Sequence, residues 1–258
     1  MIKLSAALAV YNEEKNLASC LEAVKDWVDE IVVVDGESTD KTREVAKKHG
    51  ARVIKTTNKP IFHINKQIAI NACRGDWVLQ LDADEIVDQN LKKQILVAVK
   101  GESDCDAFSI KRKNFFLGHW LKKGGQYPDS VIRLFKKEMA YLPCRSVHEK
   151  MMVPSGKIGA LSGHLLHYPY PDFGEYLVKF NRYTELTAKE YQNNSKIKAN
   201  VWQYIIIEMK ASIEFLSRYL RHKGFLDGFP GLVFALFSAL HYPVAFIKYW
   251  EKEHGKKN

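Results

Sequence analysis

Cysteine is scarce in this 258-residue chain, and its four copies, Cys20, Cys73, Cys105 and Cys144, lie far apart with no C-x-x-C between them. A thiolate zinc cluster is therefore excluded and no disulfide framework is indicated, which suits a reducing cytoplasm. Two phosphate-binding signatures are missing as well. Without G-x-G-x-x-G or G-x-x-x-x-G-K-[ST], neither a dinucleotide fingerprint nor a P-loop can hold a phosphate. There are no internal repeats or low-complexity tracts, and 46% hydrophobic with 27% charged residues excludes disordered and collagen-like chains. The length fits one large domain, or one domain with an appendage, around a sizeable core.

Positive charge is what the chain has in excess. Thirty-nine Lys+Arg against 30 Asp+Glu leave +9, which points to anionic partners: nucleic acid, nucleotide phosphates or an acidic membrane surface. The excess is uneven, with +3 over residues 1–175 and +6 over residues 176–258. Lys3, the apolar run Leu4–Val10 and Ala7-Leu8-Ala9 imitate a secretion signal. The run is too short, and Asn12-Glu13-Glu14 follows at once, so Leu4–Val10 reads as a buried first strand.

Apolar runs and helical spacings alternate over the first ninety residues. Strands are predicted at Leu4–Val10, Ile31–Val34, Arg52–Thr56 and Trp77–Leu81. Helices fall between them at Asn16–Val28, Asp40–His49, where Ser38 and Thr39 can cap, and Asn65–Cys73. That rhythm predicts an α/β fold, a Rossmann-like, mostly parallel sheet flanked by helices. A surface helix is expected at Asn90–Val99. Regularity then falls through Phe108–Tyr170, a region of short strands and loops. Helices return from Tyr176, notably Val201–Leu220 with Val201, Ile205, Met209, Ile213, Leu216 and Leu220 on one side. The predicted domains are 1–175, holding the site, and 176–258, a basic helical extension.

Ligands of open α/β sheets bind beyond the carboxyl ends of the strands. Here those ends read Tyr11-Asn12-Glu13-Glu14, Asp35-Gly36-Glu37-Ser38-Thr39-Asp40 and Asp82-Ala83-Asp84-Glu85, all polar and acid-rich. Asp82 and Asp84 at a strand end can hold Mg²⁺ or Mn²⁺, whose remaining positions go to substrate phosphates. His164 and His167 form an H-x-x-H pair that is structural or completes such a metal or diphosphate site. Val147-His148-Glu149 is no zinc-protease motif, because no second His follows at the required spacing. The stretch Lys111–Lys123 interleaves bases with aromatics, either as a nucleic-acid surface or as a hairpin with its rings on a core. Phe229–Trp250 is apolar but interrupted by Pro230, Gly231, His241 and Pro243. It reads as an interfacial element on anionic lipid, flanked by Arg218, Arg221, Lys223, Lys248 and Lys252, or as a segment packed on the catalytic domain.

Together Ala9–Glu14, Val33–Asp40 and Trp77–Glu85 resemble the inverting family 2 glycosyltransferases of GT-A fold. Tyr127-Pro128-Asp129, Ile132–Phe135, Val147–Glu149 and Gly224–Gly228 are similar to bacterial lipopolysaccharide core β-1,4-glucosyltransferases. The resemblance implies a UDP-linked sugar donor, with Val10, Tyr11 and Asp35 at the nucleotide, Glu13 near the ribose, and Asp82 and Asp84 at ribose and metal. His167 would join the metal, and the Lys111–Lys123 stretch would have a third use as an acceptor-side loop meeting phosphorylated sugar or lipid. Lys66 would contact the diphosphate or stand as a plain surface lysine, since Asn65-Lys66 replaces the family's usual Arg-Asn. The base for the acceptor hydroxyl would be Glu149, with Asp129 as the other candidate. A glucose from UDP-glucose would pass to a lipid-linked glycan such as lipopolysaccharide core, on the cytoplasmic, inner face of the cell membrane. The alternatives are another polysaccharide or polyprenyl-linked acceptor or, in a different class, a nucleic-acid-binding protein. On the glycosyltransferase reading no nucleic acid is bound.

Overall fold

Strand β1 (Leu4–Val10) is apolar throughout because both of its faces are covered. Its alternate residues Leu4, Ala6 and Leu8 join one core, and Ala7 joins another on the opposite side. The computed structural model describes residues 3–101, 103–145 and 149–255. After β1 come α1 (Leu17–Glu22), β2 (Glu30–Asp35), α2 (Thr42–Lys48), β3 (Arg52–Lys55), α3 (Phe62–Ala72), β4 (Trp77–Leu81), β5 (Glu85–Val87) and α4 (Gln89–Lys100). Leu17 and Leu21 of α1, Ala46 of α2, and Leu91 and Ile95 of α4 fill the first core. Ala69 and Ile70 of α3 fill the second. Each fully buried leucine contributes about 1.5–3 kcal/mol, so the helices are held by these faces rather than by their short lengths.

The chain continues through β6 (Ala107–Phe116), β7 (His119–Trp120), β8 (Asp129–Lys136) and β9 (Ile158–His167). The sheet runs β3-β2-β1-β4-β8-β6-β9-β5, with β7 paired to β6. β3, β2, β1 and β4 are parallel; β8 is antiparallel to both β4 and β6. An antiparallel β8 starts at the end of the sheet where β4 stops, so Asp129 and Arg133 are delivered to the edge that carries Asp82. Gly163 lets β9 lie against α4, since a Cβ there would meet the Leu91 backbone at 2.3 Å.

By its internal contacts the chain forms two units: Met1–Lys113 with Asp129–His167, and Asn114–Pro128 with Tyr168–Asn258. The second unit contains α5 (Phe173–Asn193), α6 (Val201–Leu216) and α7 (Gly228–His254), with a π-helical turn at Ser217–Arg221 and a 3-10 turn at Gly224–Asp227 before α7. It also holds the β6–β7 hairpin, turned at Leu117 and Gly118, both of positive φ. Phe116 is buried there among Tyr176 and Phe234, so the rings of the basic aromatic stretch pack inward. Asp227 fixes the loop after the hairpin by accepting the N–H groups of Lys122 and Lys123 at 3.2 and 2.7 Å.

The structure corrects three local expectations. Phe108–Tyr170 is not a region of short strands alone: β6 and β9 run ten residues and β8 eight, their period hidden by polar residues on half-exposed faces. Ser38 and Thr39 do not cap α2. The Asp40 carboxylate accepts the Thr42 N–H at 3.0 Å instead, and the Ser38 hydroxyl is taken by the Asn12 N–H at 2.9 Å. Finally, Pro230, Gly231, His241 and Pro243 do not interrupt α7, which is one helix of 27 residues. Pro230 sits in the first turn, where no intrahelical N–H is needed. Gly231 is required there because a Cβ would meet the Gly224 carbonyl oxygen at 2.1 Å.

Candidate active site

The loops after β1 and β2 are stitched together. Asn12, itself at φ +53°, donates its N–H to the Ser38 hydroxyl and accepts the Thr39 N–H on its side-chain oxygen at 2.8 Å. The Glu13 N–H reaches the Thr42 hydroxyl at 2.8 Å, and the Lys41 N–H reaches the Glu14 carboxylate at 2.9 Å. Val10 pairs with Asp35 at the ends of the two strands, and the Gly36 N–H closes on the Val10 carbonyl at 2.9 Å. Tyr11 stands exposed above this junction. The Glu13 carboxylate accepts the Asn16 amide at 2.8 Å.

Asp35 is fully buried. Its Oδ2 accepts the Ser38 N–H at 3.2 Å and meets Arg43 Nη1 at 3.5 Å, while its Oδ1 has no hydrogen-bond partner. Leaving a buried acceptor unmade costs about 1–3 kcal/mol. Asp35 is one of the residues lining a cavity of about 400 Å³, with Glu37, Arg43, Lys55, Thr56, Thr57 and Lys59. Asn65 holds the Thr57 carbonyl at 3.1 Å and carries a second buried, unpartnered oxygen, its Oδ1.

At the end of β4, alternating charges run from one strand to the next. Lys66 Nζ meets Asp82 at 2.5 Å, and Arg133 bridges Asp82 at 2.5 Å and Glu85 at 2.7 Å. Arg112 meets Glu85 at 3.5 Å and Asp129 through two nitrogens, at 2.9 and 2.8 Å. The β6–β8 register sets Arg112 opposite Asp129. Gln80 accepts a hydrogen bond from Arg133 and reaches Asp82 with its amide at 3.3 Å. Burial works against ionisation of Asp82, but Arg133 and then Lys66 outweigh it and hold its carboxyl well below the usual range. Cys20, buried and facing Glu85, Asp84 and Asp82, is pushed up and stays a thiol.

Asp84 is placed differently. Antiparallel pairing of β5 with β9 sets Glu85 opposite His167, which brings His167 Nε2 to 3.5 Å from Asp84 Oδ2. Among the described residues no three His, Cys, Asp or Glu side chains are grouped to hold a metal. The Asp84–His167 pair offers an oxygen and a nitrogen donor that suit a divalent first-row ion whose other positions go to phosphate oxygens. Asp82 is taken up by its two cations. His164 faces Asp88 at 3.6 Å, away from this pair, and its pKa is lowered by burial and by Lys113.

Of the two base candidates, Asp129 lies on the ionic chain. Glu149 joins none of its ion pairs among the described residues, and both of its oxygens accept the Arg145 backbone N–H at 2.9 Å. His148 lies outside the described residues. Sequence reading passed over Gln80, Glu85, Arg112 and Arg133 as members of this charged chain. The signal was present: a lone Arg in Val131-Ile132-Arg133-Leu134-Phe135 and a lone Gln in Trp77-Val78-Leu79-Gln80-Leu81 are polar groups in buried strands, which demand partners.

A parallel β3-β2-β1-β4 core whose acid-rich strand ends meet cations at one edge is an α/β architecture with its charged groups gathered at the carboxyl ends of the strands. The chain matches Glycosyl transferase family 2 over residues 5–152. It belongs to that family, and is therefore a transferase. An uncharacterised glycosyltransferase of Rickettsia typhi is 30% identical over 93% of this chain and 84% of its own length. The lipopolysaccharide core biosynthesis glycosyltransferase LpsC of Rhizobium meliloti is 27% identical over 92% of this chain and 91% of its own. Among solved structures, Staphylococcus aureus TarS 1–349 is similar with a TM-score of 0.50 at 16% identity, covering 99% of this chain and 92% of that one. The fold is GT-A.

Proposed function

We propose that this protein is a metal-dependent, inverting hexosyltransferase that moves glucose from UDP-glucose onto a lipid-linked glycan such as lipopolysaccharide core. The observation that carries the reading is the buried, unpartnered Oδ1 of Asp35, a residue that lines a cavity with Arg43, Lys55 and Lys59. A uracil offers one imide N–H for that oxygen. TarS, which shares the fold, has been solved with UDP and with UDP-GlcNAc, and LpsC supports a core-glycan acceptor. On this reading Tyr11 covers the base, Glu13 meets the ribose, and Lys66 stands beside the diphosphate. Asp84 and His167 would hold Mg²⁺ or Mn²⁺, which when bound neutralises charge on the leaving diphosphate. Asp82, kept ionised by Arg133 and Lys66, faces the ribose.

The acceptor oxygen attacks the anomeric carbon on the face opposite the diphosphate. A new C–O bond forms, the sugar–phosphate bond breaks, UDP leaves, and the hydroxyl proton passes to a carboxylate. Glu149 is the proposed base: among the described residues it accepts the Arg145 backbone N–H and joins no ion pair, whereas Asp129 is fixed against the Arg112 guanidinium at two points. Glu149→Gln should lower transfer, read as UDP release from a UDP-sugar panel with acceptor, by about 10²–10⁴-fold while UDP affinity holds. If Asp129→Asn does so and Glu149→Gln does not, the assignment moves to Asp129. We place the enzyme on the cytoplasmic side, peripheral on the inner face of the membrane. The basic second unit and its exposed apolar helices support this placement.

A further inference from the structure

Helix α6 is apolar on two opposite sides. Ile207 and Ala211 form its buried side, and Ile207 packs with Phe246 and Tyr249 of α7. At 3.6 residues per turn, Trp202, Ile206, Met209, Ile213 and Leu216 form a row on the other side. All five are exposed, Trp202 at 73% and Ile213 at 65%. Leu220, Phe225, Leu226 and Phe229 follow, each exposed as well. A water-facing helix carries polar residues opposite its buried face. Single exposed apolar residues are ordinary, but a contiguous row of this length marks an interaction surface.

Charge selects what covers it. Lys196, Lys198, Lys210, Arg221 and Lys223 are exposed on α6 and its flanks. The two acids of α6 are answered within the helix: Glu208 accepts the Tyr204 hydroxyl at 2.5 Å and Glu214 accepts Arg218 Nε at 2.6 Å. Across a two-fold axis a second copy would set the same cations against one another, whereas an anionic lipid surface would neutralise them.

We propose that the outward row of α6, ending in Phe225, Leu226 and Phe229, docks the protein on an anionic lipid surface, with the helix lying in the headgroup plane. The proposal rests on the membrane placement above and moves the contact from α7 to α6. α7 buries Ala235, Ala239, Phe246 and Tyr249, and its Leu236, Leu240, Ile247 and Trp250, though exposed, are each less so than Trp202, Met209 and Ile213 of α6.

The test is flotation of the full chain with phosphatidylglycerol/phosphatidylcholine vesicles against phosphatidylcholine alone. UDP binding serves as the control for a folded first unit, and circular dichroism as the control for the helices. The chain should float with the anionic vesicles. Trp202→Gln/Ile206→Gln/Met209→Gln/Ile213→Gln should weaken partitioning at least about tenfold, and Arg221→Glu/Lys223→Glu should weaken it on the anionic vesicles. Leu236→Gln/Leu240→Gln on α7 should float nearly as the native chain does. Undiminished flotation of the α6 variant would overturn the proposal, as would loss confined to the α7 variant, which leaves the membrane placement standing. A native chain that binds UDP but floats with neither vesicle would overturn both the row and the placement while sparing the transferase. Self-association lost in the α6 variant, without flotation, would assign the row to a second copy.

Discussion

The two units differ in which groups most conspicuously lack a partner. In the first, Asp82, Glu85 and Asp129 are each met by a cation, and beside the cavity the Asp35 and Asn65 oxygens are buried without a donor. In the second, Asp227 accepts two backbone N–H groups and stands 3.5 Å from His119 Nε2, and what is most prominent is the set of large apolar residues exposed from Trp202 to Phe229. Both kinds of leftover cost free energy in the unliganded chain. They point to different ligands: a buried oxygen without a donor asks for a polar molecule, and an exposed apolar row asks for a surface.

Substitutions should separate the two regions by the size of their effect. Arg133→Met removes a cation shared by Asp82 and the fully buried Glu85, leaving Asp82 with Lys66 and Glu85 with Arg112 at 3.5 Å. It should destabilise the chain by about 3–5 kcal/mol, read from urea unfolding. The effect carries a pH signature. The Asp82 carboxyl is held well below its usual range by Arg133 and Lys66, so its contribution is fully present above the unfolded-state value of about 3.9 and is lost as pH falls through the depressed folded value. The native chain should lose this stability below about pH 4, and the variant should lose less of it. Equal acid sensitivity in both would show that the ion pair does not hold Asp82 ionised.

Asp35→Asn is the intermediate case. It removes a buried charge while keeping the shape, so unfolding should change little. UDP affinity should fall about tenfold, because an amide cannot serve both the Ser38 N–H and a ligand N–H as a carboxylate does; calorimetry reads it. The smallest effect belongs to α6. Trp202→Gln with Ile206→Gln should shift stability by no more than about 0.5 kcal/mol per site, since neither side chain is buried. A large loss in thermal unfolding would mean that the row is packed in solution and would erase the contrast.

Legibility in the sequence followed the same division. The parallel strands and the acid-rich ends could be read because buried parallel strands are continuous apolar runs bounded by polar loops. Asp82 and Asp84 stood out by spacing, but not their division of labour. That depends on β8 and β9, whose antiparallel registers bring Arg133 to Asp82 and His167 to Asp84 from 51 and 83 residues away. No local pattern encodes those pairings. Of the row on α6, Met209, Ile213 and Leu216 were visible as helical spacing in Val201–Leu220, whereas Trp202 and Ile206 were not among the residues that spacing picked out. The row's exposure was not visible, because spacing finds an apolar side without telling whether it faces a core or solvent. The continuity of α7 was hidden by Pro243, which the sequence rule treats as a break.

The most direct measurement is titration of UDP into the full chain with and without Mn²⁺, repeated on Asp84→Ala. Saturable binding that requires Mn²⁺ and weakens at least about 100-fold in the variant is expected from the proposed cation site at Asp84 and His167 and the proposed nucleotide site at Asp35. Absent binding, or binding of equal strength without Mn²⁺ and in Asp84→Ala, would contradict it.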